Sequence, residues 1–201
     1  DLPSTVQLLL EAPRRMRKAT IPEGLTRHET AGVLARQGIV DSTRFVQLSE
    51  NHTFITRLGI DKPTLEGYLF PETYFFSMES DEESVIQRLV KHFHQVLDDD
   101  ALARLDSIGL SLHQVVTLAS IVEREAKDAS ERPLIAGVFL HRLSLNRRLE
   151  SCATVEYALG VHKKRLTNAD LRVKSPFNTY RHRGLPPAPI GSPGKSALYA
   201  S

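Results

Sequence analysis

Apolar residues recur at helical spacing in several stretches of the chain, and each stretch opens on a residue suited to capping a helix. Thr26, with Glu29 three residues on, starts a helix that buries Val33 and Leu34 and stops at Gly38. Asp41 or Ser42 starts a shorter one carrying Phe45, Val46 and Leu48. Ser80, with Glu83, precedes Val85, Ile86, Leu89, Val90, Phe93, Val96 and Leu97. Ser111, with Gln114, opens a helix running to about Ala126. Ser130 and Pro133 open a last one, with Leu134, Ile135, Val138, Phe139 and Leu143 expected to face inward. Between these, Thr20-Ile21-Pro22-Glu23-Gly24 reads as a turn and Asp61-Lys62-Pro63 as a linker. Residues 65–76 are rich in Phe and Tyr but broken by Pro71, so they read as extended or looped. From Ser175 onward Pro and Gly predict ordered loop. The expected fold class is α+β: residues 1–60 form a strand and a small α/β unit, and residues 61–201 a mainly helical part with short strands and long ordered loops.

Composition narrows the function classes. The 201 residues carry 26 Lys+Arg against 24 Asp+Glu, a net charge of +2. So even a balance argues against a protein built for nucleic acid. The basic cluster Arg14, Arg15, Arg17 and Lys18 reads as a solvated strand edge. One cysteine, Cys152, excludes an internal disulfide and a multi-cysteine metal site. No run of apolar residues is long enough to span a membrane, and no signal-peptide pattern is visible.

The sharpest chemical signal is Ala119-Ser120-Ile121-Val122-Glu123-Arg124-Glu125-Ala126. Stepping about 100° per residue, Val115, Ala119, Val122 and Ala126 centre an apolar stripe. Glu123 and Glu125 border it on opposite sides, and Arg124 is expected to point away. A carboxyl against apolar walls holds its proton more tightly and suits a general acid, but the wheel does not choose between the two. Two carboxylates flanking a core helix satisfy the same pattern. His92 and His94, two apart on a helix, splay too far to chelate a metal. Cys152 lacks any local nucleophile signature, although His141 or His162 could in principle activate it. Without a Walker loop, a dinucleotide fingerprint or a His-Glu-x-x-His, neither cofactor nor metal is expected. Ser175-Pro176-Phe177-Asn178-Thr179-Tyr180, followed by Gly184-Leu185-Pro186-Pro187, offers amide, hydroxyl and aromatic groups on a proline-fixed loop. That mixture suits a sugar as well as it suits a structural loop.

These motifs resemble a family. Thr20-Ile21-Pro22-Glu23-Gly24-Leu25-Thr26, Leu65-Glu66-Gly67-Tyr68-Leu69-Phe70-Pro71-Glu72-Thr73-Tyr74 and Leu118-Ala119-Ser120-Ile121-Val122-Glu123-Arg124-Glu125 are similar to the YceG-like murein endolytic transglycosylases. The stretch 154–160, residues 175–180 and the 184–187 loop follow in the same order. The resemblance implies a LysM-like subdomain near the start and a catalytic domain after it. It places the catalytic glutamate on Glu123, and it implies a glycan cleft lined by Asn178, Thr179 and Tyr180, with Ser151 and Thr154 nearby and Glu72 and Tyr74 as weaker candidates. It further implies a peptidoglycan strand as substrate, no cofactor, cell-wall synthesis enzymes as possible partners, and an N-terminal membrane anchor that leaves this region on the extracytoplasmic face. One departure stands out. Where the family reads Leu-Gln-Ser/Thr-Asp-Pro-Thr-Val, this chain has Leu149-Glu150-Ser151-Cys152-Ala153-Thr154-Val155. Loss of that Asp implies a slower enzyme, an altered specificity, or a glycan-binding or scaffolding protein without activity. A hydrolytic muramidase using Glu125 or Asp128 as second carboxylate is the remaining alternative.

Overall fold

The computed structural model describes residues 16–97, 109–163 and 165–201. Strand β1 (Met16–Thr20) pairs antiparallel with β2 (Thr73–Ser77), Ala19 opposite Tyr74 and Lys18 opposite Phe75. Between them lie helices α1 (Arg27–Arg36), α2 (Ser42–Leu48) and α3 (His52–Arg57). Helices α4 (Glu82–Val96), α5 (Leu112–Glu125), α6 (Arg132–Ser144), α7 (Cys152–Leu159) and α8 (Lys195–Ala200) follow. The α+β class stands.

Two capping boxes form where the spacing predicts them. Thr26 and Glu29 satisfy each other's backbone N–H groups at the start of α1, as Ser111 and Gln114 do at the start of α5. Helix α4 instead takes Asp81 as its cap, accepting from the Ser84 N–H. Asp81 takes the cap in place of Ser80 because its carboxylate is a stronger acceptor for an N–H of the first turn. Helix α3, capped by Asn51, has no long apolar stripe and escapes periodicity altogether. Arg17 and Lys18 sit exposed on β1, while Arg14 and Arg15 lie outside the described residues.

The core has two connected centres. In the larger, Phe45, Phe54, Leu65, Leu69, Ile86, Leu89 and Phe93 pack with Val116 and Ala119 of α5 and Leu198 of α8. Residues before and after position 60 therefore share one apolar interior. The smaller gathers Leu118, Ile121 and Val122 of α5 with Ala136, Phe139, Leu149, Ala153 and Ile190. Helix α5 supplies buried residues to both. Two glycines let loops close on it. Gly67, at φ 88°, lies so close to Pro189 and Val116 that a Cβ would meet Pro189 at 2.5 Å. Gly191 lies against the Gly24 carbonyl.

Helix α6 corrects the expected inward face. Leu134 is 73% exposed and Val138 is also exposed, whereas Ala136 and Phe139 are buried. The sequence offers more apolar positions than one stripe can hold, and packing against α5 and α8 selects which are covered. The contrast is testable by chemical denaturation. Phe139→Ala should cost about 3–5 kcal/mol, and Leu134→Ala should stay within about 0.5 kcal/mol.

Candidate functional site

Glu123 ends the buried run of α5, and three separate segments converge on its carboxyl group. The Arg132 guanidinium, from the first turn of α6, donates through Nη2 to Oε1 at 2.5 Å. The Gly194 backbone N–H donates to Oε2 at 3.0 Å. Glu23, on the turn after β1, accepts from the same Arg132 Nη2 at 2.8 Å. Glu123 is 6% exposed and Arg132 12%, but Glu23 is 45% exposed. The turn comes close because Gly24, at φ 77°, lies over the Glu123 and Arg124 side chains. Gly194 abuts the Glu23 carboxylate, so any side chain there would displace it. Burial pushes the Glu123 carboxyl above the ordinary carboxylate range, and the Glu23 charge adds to this. The Gly194 N–H and the Arg132 charge oppose it without reversing it. The result is a shielded carboxyl that can hold a proton yet has stabilising partners once it loses it.

Glu125, two residues on, faces elsewhere. Ser151 Oγ donates to its Oε1 at 2.5 Å, and the Ala153 N–H does so at 3.3 Å. It anchors the start of α7. Arg124, expected to point away, does not. Its guanidinium folds back to Glu156 at 3.3 Å, to the Ile190 carbonyl and to His162 Nδ1 at 2.9 Å. A side chain that long can leave its own helix face to reach buried acceptors.

The loop residues named from sequence are brought together, but mostly by bonds to one another. Ser151 N–H donates to Thr179 Oγ1 at 3.0 Å, and the Thr154 and Thr179 hydroxyls meet at 2.8 Å. Asn178 is fully buried, its amide donating to the Leu171 and Val173 carbonyls while its oxygen accepts from the Tyr180 N–H. Tyr180 is partly exposed and its hydroxyl lies 3.2 Å from Cys152 Sγ, so this pair presents the loop's outward chemistry. Tyr74 is buried against α4, bonded to the Phe70 carbonyl and His92, and Glu72 caps its own backbone at Thr73. These two belong to the β2–α4 face and not to the Glu123 cluster. His92, near Phe70 and Tyr74, is an aromatic-packing histidine. No cluster suited to a metal ion occurs among the described residues.

A second group of polar residues surrounds a cavity of about 430 Å³ between the start of α1 and the end of α7. Its floor is Glu66, 2% exposed, accepting from the Arg27 N–H at 3.0 Å and the Tyr157 hydroxyl at 3.2 Å. Glu29 and His162 close its rim at 2.9 Å. Sequence reasoning passed over Glu23, Arg132, Gly194 and Glu66 as site residues. Two of them, Glu23 and Glu66, stand inside motifs quoted for the family resemblance, and only their fold neighbours give them a role.

A YceG-like family model matches residues 2–201. The chain belongs to the YceG-like family. It is 32% identical over 197 residues to the endolytic murein transglycosylase of Bacillus subtilis, covering 90% of this chain and 54% of that protein. It is 31% identical over 207 residues to the endolytic murein transglycosylase of Streptococcus pneumoniae, covering 90% of this chain and 37% of that one. The crystal structure of a yceG-like protein from Listeria monocytogenes matches the whole chain and 71% of its own, at TM-score 0.84 and 32% identity. The chain thus spans about half the length of the Bacillus relative and over a third of the pneumococcal one.

Glu66 generates a stability prediction. Burial raises its carboxyl from the ordinary 4.5 to about 7, with Arg27 and Tyr157 opposing. The folded chain then keeps a proton that the unfolded chain has released, so stability falls as pH rises from about 4.5 through about 7. The slope from this one group is at most about 1.4 kcal/mol per pH unit. Denaturant titrations across pH 4.5–8 should show that fall, and Glu66→Gln should flatten it.

Proposed function

We propose that this region is the catalytic part of an endolytic lytic transglycosylase, which cuts peptidoglycan between N-acetylmuramic acid and N-acetylglucosamine. The observation that carries this reading is the Glu123 carboxyl, shut in among Arg132, Gly194 and Glu23 at the end of the family's helix motif. Glu123 first gives its proton to the glycosidic oxygen as the C1–O bond breaks, so the leaving sugar departs as an alcohol. The muramoyl acetamido oxygen stabilises C1 from within the substrate. Glu123, now a carboxylate held by Arg132 and Gly194, takes the proton from the muramoyl 6-hydroxyl. That oxygen bonds to C1 and closes a 1,6-anhydro ring. No water enters the balance, so a single carboxyl returns to its starting state without the second nucleophile or base of ordinary glycosidases.

The muramidase alternative gains nothing from its named second carboxylates. Glu125 is committed to Ser151 and Ala153, and Asp128 lies exposed on the short turn leading into α6, away from the Arg132–Glu123 contact. Tyr180 and Cys152 form the wall that meets the glycan, while Ser151, Thr154, Asn178 and Thr179 give that wall its shape. Glu72 and Tyr74 take at most a distant subsite on the β2–α4 face. The proposed division into a LysM-like part, residues 1–60, and a catalytic part, residues 61–201, draws support from the strand–helix–helix order of β1, α1 and α2. The return strand β2 falls within the second part. The substrate implies an extracytoplasmic location with an anchor upstream, and cell-wall synthesis enzymes as partners. No helix among the described residues is long and apolar enough to cross a membrane.

Mass spectrometry of purified glycan strands tests the reading. The wild-type chain should release anhydro-muramoyl ends, and Glu123→Gln should lower that release at least about 100-fold. Loss of product only in Glu125→Gln would move the acid by two residues. Hydrated reducing ends would indicate a muramidase, and binding without cleavage a scaffolding protein of this fold.

A further inference from the structure

Glu23 and Glu123 both accept from one nitrogen, Arg132 Nη2. They come from segments a hundred residues apart and are joined only by the fold. We propose that Glu23 is a second functional carboxylate of this centre, a positioning residue that shares Arg132 and so leaves Glu123 free to carry its proton. The proposal rests on the reading of Glu123 as the acid.

An arginine at 2.5 Å from a carboxylate, with no other acid present, makes a closed ion pair. Protonating that carboxylate would strand a nearly buried guanidinium without a counter-charge, at a large desolvation cost. An acid so paired stays ionised and has no proton to give. With Glu23 ionised on the same nitrogen, protonating Glu123 leaves Glu23 and Arg132 as a neutral pair, and the guanidinium charge keeps a counter-charge. When Glu123 is ionised the trio is net negative, which favours taking the proton back from the 6-hydroxyl. Glu23 is the solvent-facing carboxylate of the two and Glu123 the shielded one.

The neighbouring charged groups are otherwise engaged. Glu131 is turned to the Lys127 and Asp128 backbone N–H groups. Lys195, beside Gly194, lies over the Tyr199 ring at 5.2 Å. Arg124 is turned to Glu156 and His162. The packing around Gly24 and Gly194 holds Glu23 in place.

Glu23→Gln keeps the shape and removes the charge. In this variant the Glu123 side-chain carboxyl, followed by carbon-13 NMR, should titrate at lower pH than in the wild type. The alkaline limb of the anhydro-product rate profile should move to lower pH, with kcat lost more at pH 8 than at pH 5 and KM for glycan strands unchanged. Glu23→Asp, which keeps the charge, should restore part of the limb. A uniform loss of rate with an unmoved limb and an unmoved Glu123 titration would overturn the proposal and leave Glu23 a packing residue. The NMR titration needs no turnover. If wild-type chain released no anhydro ends, the transglycosylase reading would fail while the link between Glu23 and Glu123 was still decided.

Discussion

Eight consecutive residues of α5, Val115–Val122, are buried, and the rest of the molecule is organised by what it takes to cover them. A helix hidden on every side must satisfy its polar side chains internally. Thr117 donates to the His113 carbonyl and Ser120 to the Thr117 carbonyl, both at 2.7 Å. Ser120 Oγ also accepts the Ile190 N–H at 3.0 Å, which ties the proline-rich C-terminal loop to the centre of the helix. His113 continues the stitching from the other end, bridging the Tyr68 hydroxyl at 2.7 Å and the Pro187 carbonyl at 3.2 Å. The helix thus holds in register the two segments that carry the most proline and glycine.

This covering decides where chemistry can occur. The apolar run stops at Glu123, and the segments that close over α5 must bring polar partners to the first charge they meet. Arg132 arrives because a short turn after α5 leads straight into α6. Gly194 and the 21–24 turn arrive because glycines allow backbone to touch backbone: Gly24 N–H donates to the Ser192 carbonyl and Ser192 N–H to the Leu25 carbonyl, both at 2.8 Å. The site is consequently built from the margins of the core, where burial and charge compete. Glu125 lies only two residues beyond Glu123 but projects to the side where α7 begins, and there it serves as a cap. Similar residues at neighbouring positions acquire different work from the side of the helix they occupy.

The Cys152-Ala153 departure falls on the α7 side of this arrangement. The thiol is exposed and touches the Tyr180 hydroxyl, while the Ala153 N–H and Ser151 hydroxyl hold Glu125. The change therefore alters the outer wall near Tyr180 and leaves the Arg132–Glu123–Gly194 contacts unaffected. Phe177 packs against Tyr157 at a tilt, with ring centres 4.8 Å apart and planes at 51°.

Local sequence was sufficient for helix starts such as Thr26 and Ser111, for the aromatic strand region and for the apolar stripe of α5, because capping and periodicity act within a few residues. It offered two glutamates as candidate acids, and the family resemblance pointed to Glu123. It could not show that Asn178 and Thr179 spend their hydrogen bonds on neighbouring chain, that Leu134 faces water, or that Arg124 turns inward. Each of these depends on which distant segment packs against the shared surface. The same is true of Glu23, Arg132 and Gly194, whose convergence on Glu123 was decided by the tertiary structure alone. Burial and charge partners are set in three dimensions, and a carboxyl's proton affinity follows from both.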